Sequence, residues 1–238
     1  MAVSLPDPDA KAAVVREMFD RIAPRYTRLN TILTFGLDRG WRRATIAAAG
    51  VRAGDLVVDV GCGTGDLAAL AVAAGARVIA VDVAPAMLAH ARGCGGMLLR
   101  ADAAALPIRR ATVHAVTCGF ALRNVVAIPP VLAEAARVLR PGGRLALLEV
   151  AAPSGGALGW GHRLYFNHVV PRLGALLSDG RAYAYLPASM AYLPPADVLR
   201  RLIEDAGFVN VRRRRLGAGS AQLVSASRAT TAVAGRAA

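Results

Sequence analysis

Residues Leu56 to Leu67 read LVVDVGCGTGDL, a short apolar run that breaks into glycines and then resumes as a helix-prone segment. Gly61, Gly63 and Gly65 permit positive φ values that a side chain would penalise by roughly 1–2 kcal/mol each, and they let the backbone pass close to a ligand. The helix predicted from Leu67 to Ala74 aims its first N–H groups at whatever the loop holds, which suits a carboxylate. Roughly twenty residues further on, the run RVIAVD ends in Asp82, the position from which a carboxylate grips a ribose diol in nucleotide-binding βαβ units. A nucleoside-bearing ligand is the occupant this pairing predicts.

Two classes of nucleoside cofactor compete for that loop. A dinucleotide site carries GxGxxG, whose third glycine allows close packing over a pyrophosphate, whereas the spacing Gly61-x-Gly63-x-Gly65 falls one residue short. GxGxG after a strand ending in Asp resembles the S-adenosylmethionine loop of class I methyltransferases. A methyltransferase is therefore read ahead of a dehydrogenase, and both ahead of a turn with no ligand.

A chain of 238 residues suits one α/β domain that buries its own core without metals or disulfides. Cys62, Cys94 and Cys118 are dispersed and lack CxxC spacing, so no metal site is expected and a reducing, cytoplasmic setting fits. The opening MAVSLPDPDA is too polar and proline-rich for a signal sequence. The apolar stretch from Leu67 to Leu88 is interrupted by Arg77 and Asp82, so it does not resemble a bilayer span. The formal net charge of +13 calls for an anionic neighbour. Clustered Lys and Arg near an anionic leaflet contribute about 1 kcal/mol each, and the scarcity of aromatics in basic segments opposes nucleic acid. Arginine used almost throughout in place of lysine, with abundant alanine, equally fits a coding bias without function. The run Arg212 to Arg215 reads as a phosphate or headgroup site, or as one solvated strand face.

Helical spacing of Val14, Val15, Met18, Phe19 and Ile22, a break at Pro24 and a second run from Asp38 to Ile46 predict a helical lid before the core. Strands and helices then alternate: LVVDV, RVIAVD, MLLRAD, Thr112 to Cys118 and Arg144 to Val150, with helices at Leu67–Ala74, Pro85–Arg92 and Val131–Leu139. Alternation of this kind means a parallel sheet with right-handed crossovers. Pro141, Gly142 and Gly143 are expected to end the last of these helices and turn the chain into its strand. A stretch without regular pattern runs to Pro195, followed by a helix from Ala196 to Ala206 and strands at Phe208–Arg214 and Ser220–Ser225. The expected layout is one domain over residues 1–228, with a lid at 11–50, a cap over the acceptor at 151–195 and a disordered tail at 229–238.

Three further segments narrow the family. Tyr26-Thr27-Arg28-Leu29-Asn30 with Leu33 to Gly36 and Trp41, then Phe120-Ala121-Leu122-Arg123-Asn124 followed by Arg137 to Gly143, and finally Tyr165 through Gly174 with Tyr183, Tyr185 and Leu186 resemble signatures of the quinone-biosynthesis C-methyltransferases. That resemblance covers roughly residues 15–211. It implies the class I methyltransferase fold, a Rossmann-like, doubly wound α/β architecture with a mostly parallel seven-stranded sheet, and S-adenosylmethionine as methyl donor. The acceptor it implies is a prenylated hydroquinone such as demethylmenaquinol. The partners it implies are that lipophilic quinol and the anionic inner face of the plasma membrane; a homodimer is left open and nucleic acid is not expected.

Within the resemblance, Gly61, Gly63, Thr64 and Gly65 hold the methionine end of the donor, Asp82 accepts from the ribose, and Asp102 with the Ala103 amide reads the adenine. Gly119 stands where a serine often touches the donor. The alternative for Asp102 is a helix cap. Arg123, with Asn124 beside it, leaves the sheet's carboxyl edge and offers donors to a phenolate oxygen; the alternative for Arg123 is a structural salt bridge. Tyr26, Tyr165, His162 and His168 are the candidates for taking the proton, each with a core role as its alternative. Thr27, Asp38, Gly119, Arg181 and Ala188 depart from the family's usual residues, and Gly217 to Arg228 departs from its usual ending. Most of these lie on the acceptor side, which keeps two other readings in view: methylation of an aromatic polyketide or other phenol, and a non-catalytic scaffold for a quinone-making complex.

Overall fold

The computed structural model describes residues 8–151, 160–161, 164–170, 172, 185 and 188–230. The first strand, β1 (Leu56–Val60), is buried on both faces, with Val57 and Val58 fully enclosed, as expected of a central parallel strand. It is followed by α4 (Asp66–Ala73), β2 (Arg77–Asp82), α5 (Pro85–His90), β3 (Met97–Arg100), β4 (Val113–Gly119), α6 (Ile128–Val138) and β5 (Leu139–Val150). Helix α7 (Ala196–Asp205) and strands β6 (Phe208–Leu216) and β7 (Ala221–Arg228) complete the order. The sheet runs β3-β2-β1-β4-β5-β7-β6, parallel from β3 to β5, with β7 antiparallel between β5 and β6. This is the seven-stranded class I methyltransferase layout expected from the sequence.

The order reverses between β1 and β4. The carboxyl ends of those two strands therefore flank a crevice, the position at which doubly wound sheets bind ligands. Gly61 follows one of them and Gly119 ends the other.

Three helices precede the sheet: α1 (Pro8–Ile22), α2 (Tyr26–Leu33) and α3 (Leu37–Ala48). The expected break at Pro24 is a short 3₁₀ turn over Ala23–Arg25. The next break falls at Phe35 and Gly36, whose φ values of 52° and 76° place both in the left-handed region and stop α2. Val15, Met18, Ile22, Leu29 and Leu33 pack with Met87 of α5 as a satellite core. Asp20 of α1 accepts a hydrogen bond from the Ala86 N–H at 2.9 Å, supplying α5 with a cap from another helix.

Two boundaries differ from expectation. Helix α6 begins at Ile128, not Val131, because Pro129 and Pro130 occupy its first turn, where a missing N–H costs nothing. Strand β5 begins at Leu139, so Pro141 to Gly143 form an irregularity within an extended segment; pairing jumps from Val113–Leu139 to Ala115–Arg144. The arginine run lies on β6 at the sheet edge with Arg212 to Arg215 exposed. There the charges oppose strand addition, which favours the solvated-face reading. Tyr183, Leu186, Arg181 and His162 lie outside the described residues. Among the described residues no helix is long and apolar enough to cross a membrane.

Candidate active site

Three glycines shape the loop after β1. Gly61, Gly63 and Gly65 have φ values of 63°, 54° and 84°. A Cβ on Gly61 would stand 2.4 Å from the Ala121 Cβ, and one on Gly65 would stand 2.8 Å from the Cys94 Cβ. Conformation and space together therefore demand glycine at these two places. At Gly119 an added Cβ would meet a Leu67 methyl at 2.7 Å, so a side chain there would require Leu67 to shift.

Asp82 closes this loop. Its Oδ2 accepts the Gly63 N–H at 2.8 Å and its Oδ1 accepts the Ala84 N–H at 2.9 Å. Burial raises its pKa above the ordinary carboxylate value, and the main-chain donors at Ala84, Gly63 and Val83 pull the other way. Each oxygen retains a lone pair for a ribose hydroxyl.

A cavity with about 920 Å³ of empty space, partly open to solvent, runs from this carboxylate across the crevice. Gly61, Gly63, Asp82, Asp102 and Ala103 line one side, and Gly119 through Ala121 with Asn124 to Val126 line the other. Ala12, Val15 and Phe19 of α1 and Tyr26 of α2 roof it. Asp102 also accepts the Ala104 N–H at 2.8 Å, so it combines the turn-forming role with a place at the cavity wall.

A smaller polar recess lies behind the loop, lined by Tyr26, Arg42, Asp59, Asp66 and Gly119. Asp59 is buried in β1; its Oδ1 accepts the Thr117 hydroxyl at 2.7 Å, and its Oδ2 has no hydrogen-bond partner among the described residues. Burial pushes its pKa up to about 7, while the Thr117 hydroxyl and the Ala68 N–H offset part of that rise. An unpartnered buried carboxylate of this kind suits a cationic guest. Arg42 pairs with Asp38 and, at 3.1 Å, with Asp66. The Thr27 and Thr64 hydroxyls stand 2.6 Å apart, and Thr27 also donates to Asp66 at 3.3 Å. Thr64 thus faces the lid. Asp59 was legible in principle: a carboxylate inside an otherwise apolar strand needs a reason to be there.

On the acceptor side, Asn124 donates through Nδ2 to the Phe120 carbonyl at 3.2 Å, which leaves its buried Oδ1 without a partner among the described residues. Phe120 itself has φ of 58°, a strained value for an aromatic residue at the cavity wall. Tyr26 has its pKa raised by burial, with the Arg123 and Arg42 charges acting in the opposite direction.

Arg123 lies behind this wall and is absent from the cavity lining. Its guanidinium pairs with Glu149 at 2.7 Å and donates to the Phe120 carbonyl at 2.9 Å and the Ser189 hydroxyl at 3.1 Å. The salt bridge is therefore present, and the residue acts on the cavity through charge and through the loop it holds. Tyr165 and His168 are likewise absent from the lining. The Tyr165 hydroxyl donates to the Leu33 carbonyl at 2.9 Å, and His168 is exposed. Tyr185 has a buried hydroxyl without a partner among the described residues, with its pKa pushed up to about 12 by burial and by Tyr192.

The profile of the ubiE/COQ5 methyltransferase family matches residues 8–228. A demethylmenaquinone methyltransferase of Roseiflexus castenholzii is 42% identical over 226 residues, 92% of this chain and 95% of the relative. A protein of that name from Deinococcus radiodurans is 43% identical over 90% of this chain and 92% of its own. The ubiquinone/menaquinone biosynthesis C-methyltransferase UbiE of Syntrophotalea carbinolica is 40% identical, with shares of 90% and 93%. Among solved structures, a SAM-dependent methyltransferase of Thermotoga maritima superposes with a TM-score of 0.65 at 17% identity, covering 90% of this chain and 99% of that one. A phosphoethanolamine N-methyltransferase of Haemonchus contortus, in complex with S-adenosyl-L-methionine, superposes with a TM-score of 0.61 at 14% identity, covering 90% and 60%. At those identities the structures speak for the fold.

Proposed function

The chain belongs to the ubiE/COQ5 methyltransferase family, and from that premise we propose that it methylates a ring carbon of a prenylated hydroquinone, demethylmenaquinol in the first instance. The observation that carries this reading is the single cavity joining Asp82 and Asp102 to the apolar wall of Ala121, Val125 and Val126 under the lid. Donor and greasy acceptor share one space there.

The residues fit S-adenosylmethionine. Asp82 would accept from the ribose, Asp102 and the Ala103 amide would meet the adenine, Gly61 to Gly65 would pass the methionine chain, and Asp59 in the polar recess would receive its ammonium group. When bound, this donor supplies an electrophilic sulfonium methyl. The protein's part is alignment, worth up to about 7–11 kcal/mol when reacting atoms are held in line.

The hydroquinone gives one hydroxyl proton to bulk water before methyl transfer and the proton of the methylated ring carbon to water afterwards. Its other hydroxyl donates to Asn124 Oδ1, which the Nδ2 bond to the Phe120 carbonyl holds in that orientation. Tyr26 stays protonated because burial raises its pKa, and its hydroxyl donates to the acceptor oxygen as negative charge builds there. Arg123 and Arg42, behind Tyr26, favour that charge electrostatically. His168 and Tyr165, standing away from the cavity wall, are assigned no proton transfer.

The charge of +13 supports contact with an anionic membrane surface, where such an acceptor resides. Incubation with S-adenosylmethionine and demethylmenaquinol is expected to add one methyl mass to the quinol. No gain with that acceptor, and a gain with short phenols, would favour the natural-product reading instead.

A further inference from the structure

Phe35 is 79% exposed and Trp160 63% exposed, a costly placement for bulky rings in a chain holding five Phe and two Trp. Single exposed apolar side chains are ordinary, but contiguous ones mark a contact surface. Phe35 stands at the α2–α3 turn between exposed Ile32 and Leu37. Its ring centroid lies 5.7 Å from that of Tyr165, whose hydroxyl is anchored on Leu33. Leu164, next to Tyr165 in the chain, is exposed as well, and Trp160 lies four positions before it.

Within these two segments the exposed charges have one sign. Arg25, Arg28, Arg39, Arg43 and Arg172 are exposed. Over residues 23–49 the sole acid is Asp38, buried against Arg42, and residues 160–172 contain none.

We infer that the α2–α3 turn and the segment around Leu164 form a docking face for an anionic lipid bilayer, into which Phe35 and Trp160 insert while the arginines meet headgroups. A second copy of the chain fits poorly, since a two-fold contact through this face would set arginine against arginine. Tyr26 begins the same helix that Phe35 follows, and at about 1.5 Å per residue the cavity roof lies on the order of 12 Å from the inserted ring. A prenylated acceptor would thus pass from bilayer to cavity without crossing water. That last step rests on the proposed reaction; the docking face does not.

The test is sedimentation with vesicles of phosphatidylcholine, alone or mixed with phosphatidylglycerol. Phe35→Asn combined with Trp160→Gln is the first variant; asparagine accepts the φ of 52° at position 35. It should weaken binding to mixed vesicles by about 10-fold or more, with donor affinity by calorimetry and melting temperature held. Arg28→Gln with Arg39→Gln should weaken binding to the anionic vesicles alone. Unaltered vesicle binding in the first variant would overturn the inference, as would a wild-type dimer that this variant dissociates. Methylation of detergent-dispersed demethylmenaquinol separates the two readings: its absence in wild type would remove the acceptor assignment while leaving the vesicle result to judge the face.

Discussion

The Gly63 main-chain N–H and the Asp82 Oδ2 are 2.8 Å apart, so the carboxylate proposed to read the ribose also sets the curvature of the loop proposed to carry the methionine chain. Asp82→Asn would present an N–H₂ group where one of two main-chain donors now finds an acceptor. Both the loop and the diol contact should suffer. Loss of a charge-assisted hydrogen bond is worth roughly 1.5–3 kcal/mol, a donor affinity lower by about 10- to 150-fold in a calorimetric titration. Unchanged affinity would remove the donor site from this crevice.

Thr27 and Thr64 join the lid to the same loop through their hydroxyls at 2.6 Å. Thr27→Val keeps the shape and removes the bond, at a cost of about 0.5–1.5 kcal/mol. Donor affinity should fall by a corresponding factor, and limited proteolysis within α1 and α2 should speed up. Thr27→Ser should restore both.

Asp59 links stability to pH. Its carboxyl titrates near 7 in the folded protein against an ordinary 3.8, so between about pH 4 and 7 the folded state keeps a proton that the unfolded chain has released. Stability should therefore decline as pH rises through that window and level off above it, by up to about 4 kcal/mol. Urea unfolding of Asp59→Asn should lose this slope. The same variant should bind S-adenosylmethionine more weakly at pH 8, where the wild-type carboxylate is charged and, on the proposed reading, would meet the donor's ammonium group.

The proposed donor half of this arrangement was legible in the sequence because it is local. Gly61 to Gly65 and Asp82 sit on consecutive strand ends, and strand alternation places such ends side by side. The acceptor half is built by distant contacts that no spacing reveals. Lys11 of α1 donates to the Val125 carbonyl at 2.6 Å and stacks on the Tyr192 ring at 3.6 Å, fastening the lid to the loop after β4. Glu149 turns Arg123 from the cavity wall, and only the fold brings those two together. Tyr165 matched a family signature, yet the Leu33 carbonyl claims its hydroxyl.

Arg123 and Glu149 form a buried ion pair with side chains 5% and 3% exposed. Arg123→Met would leave a carboxylate uncompensated at the end of β5, which typically costs 3–5 kcal/mol, roughly. Adding Glu149→Gln should recover most of the loss in thermal or urea unfolding. Turnover divides the roles: a stable double variant that binds donor but methylates slowly places the Arg123 charge in catalysis. Full turnover would make the pair purely structural.

Tyr26 is the residue on which the proposed stabilisation of the acceptor's oxyanion turns. Burial keeps its hydroxyl protonated well beyond neutral pH, so it acts as a hydrogen-bond donor to the acceptor oxygen and not as the group that takes the proton. Tyr26→Phe should then lower the single-turnover rate by about 10²-fold with donor affinity little changed. If Tyr26 only donates, the rise of rate with pH reports ionisation of the quinol, and its midpoint should move upward in the variant as the oxyanion loses a stabilising bond. If Tyr26 were the base, the rising limb would vanish in Tyr26→Phe. Asn124→Leu supplies the complementary measurement: with Oδ1 gone, the acceptor loses its orienting contact, so KM should rise and the pH midpoint should stay where the wild type has it.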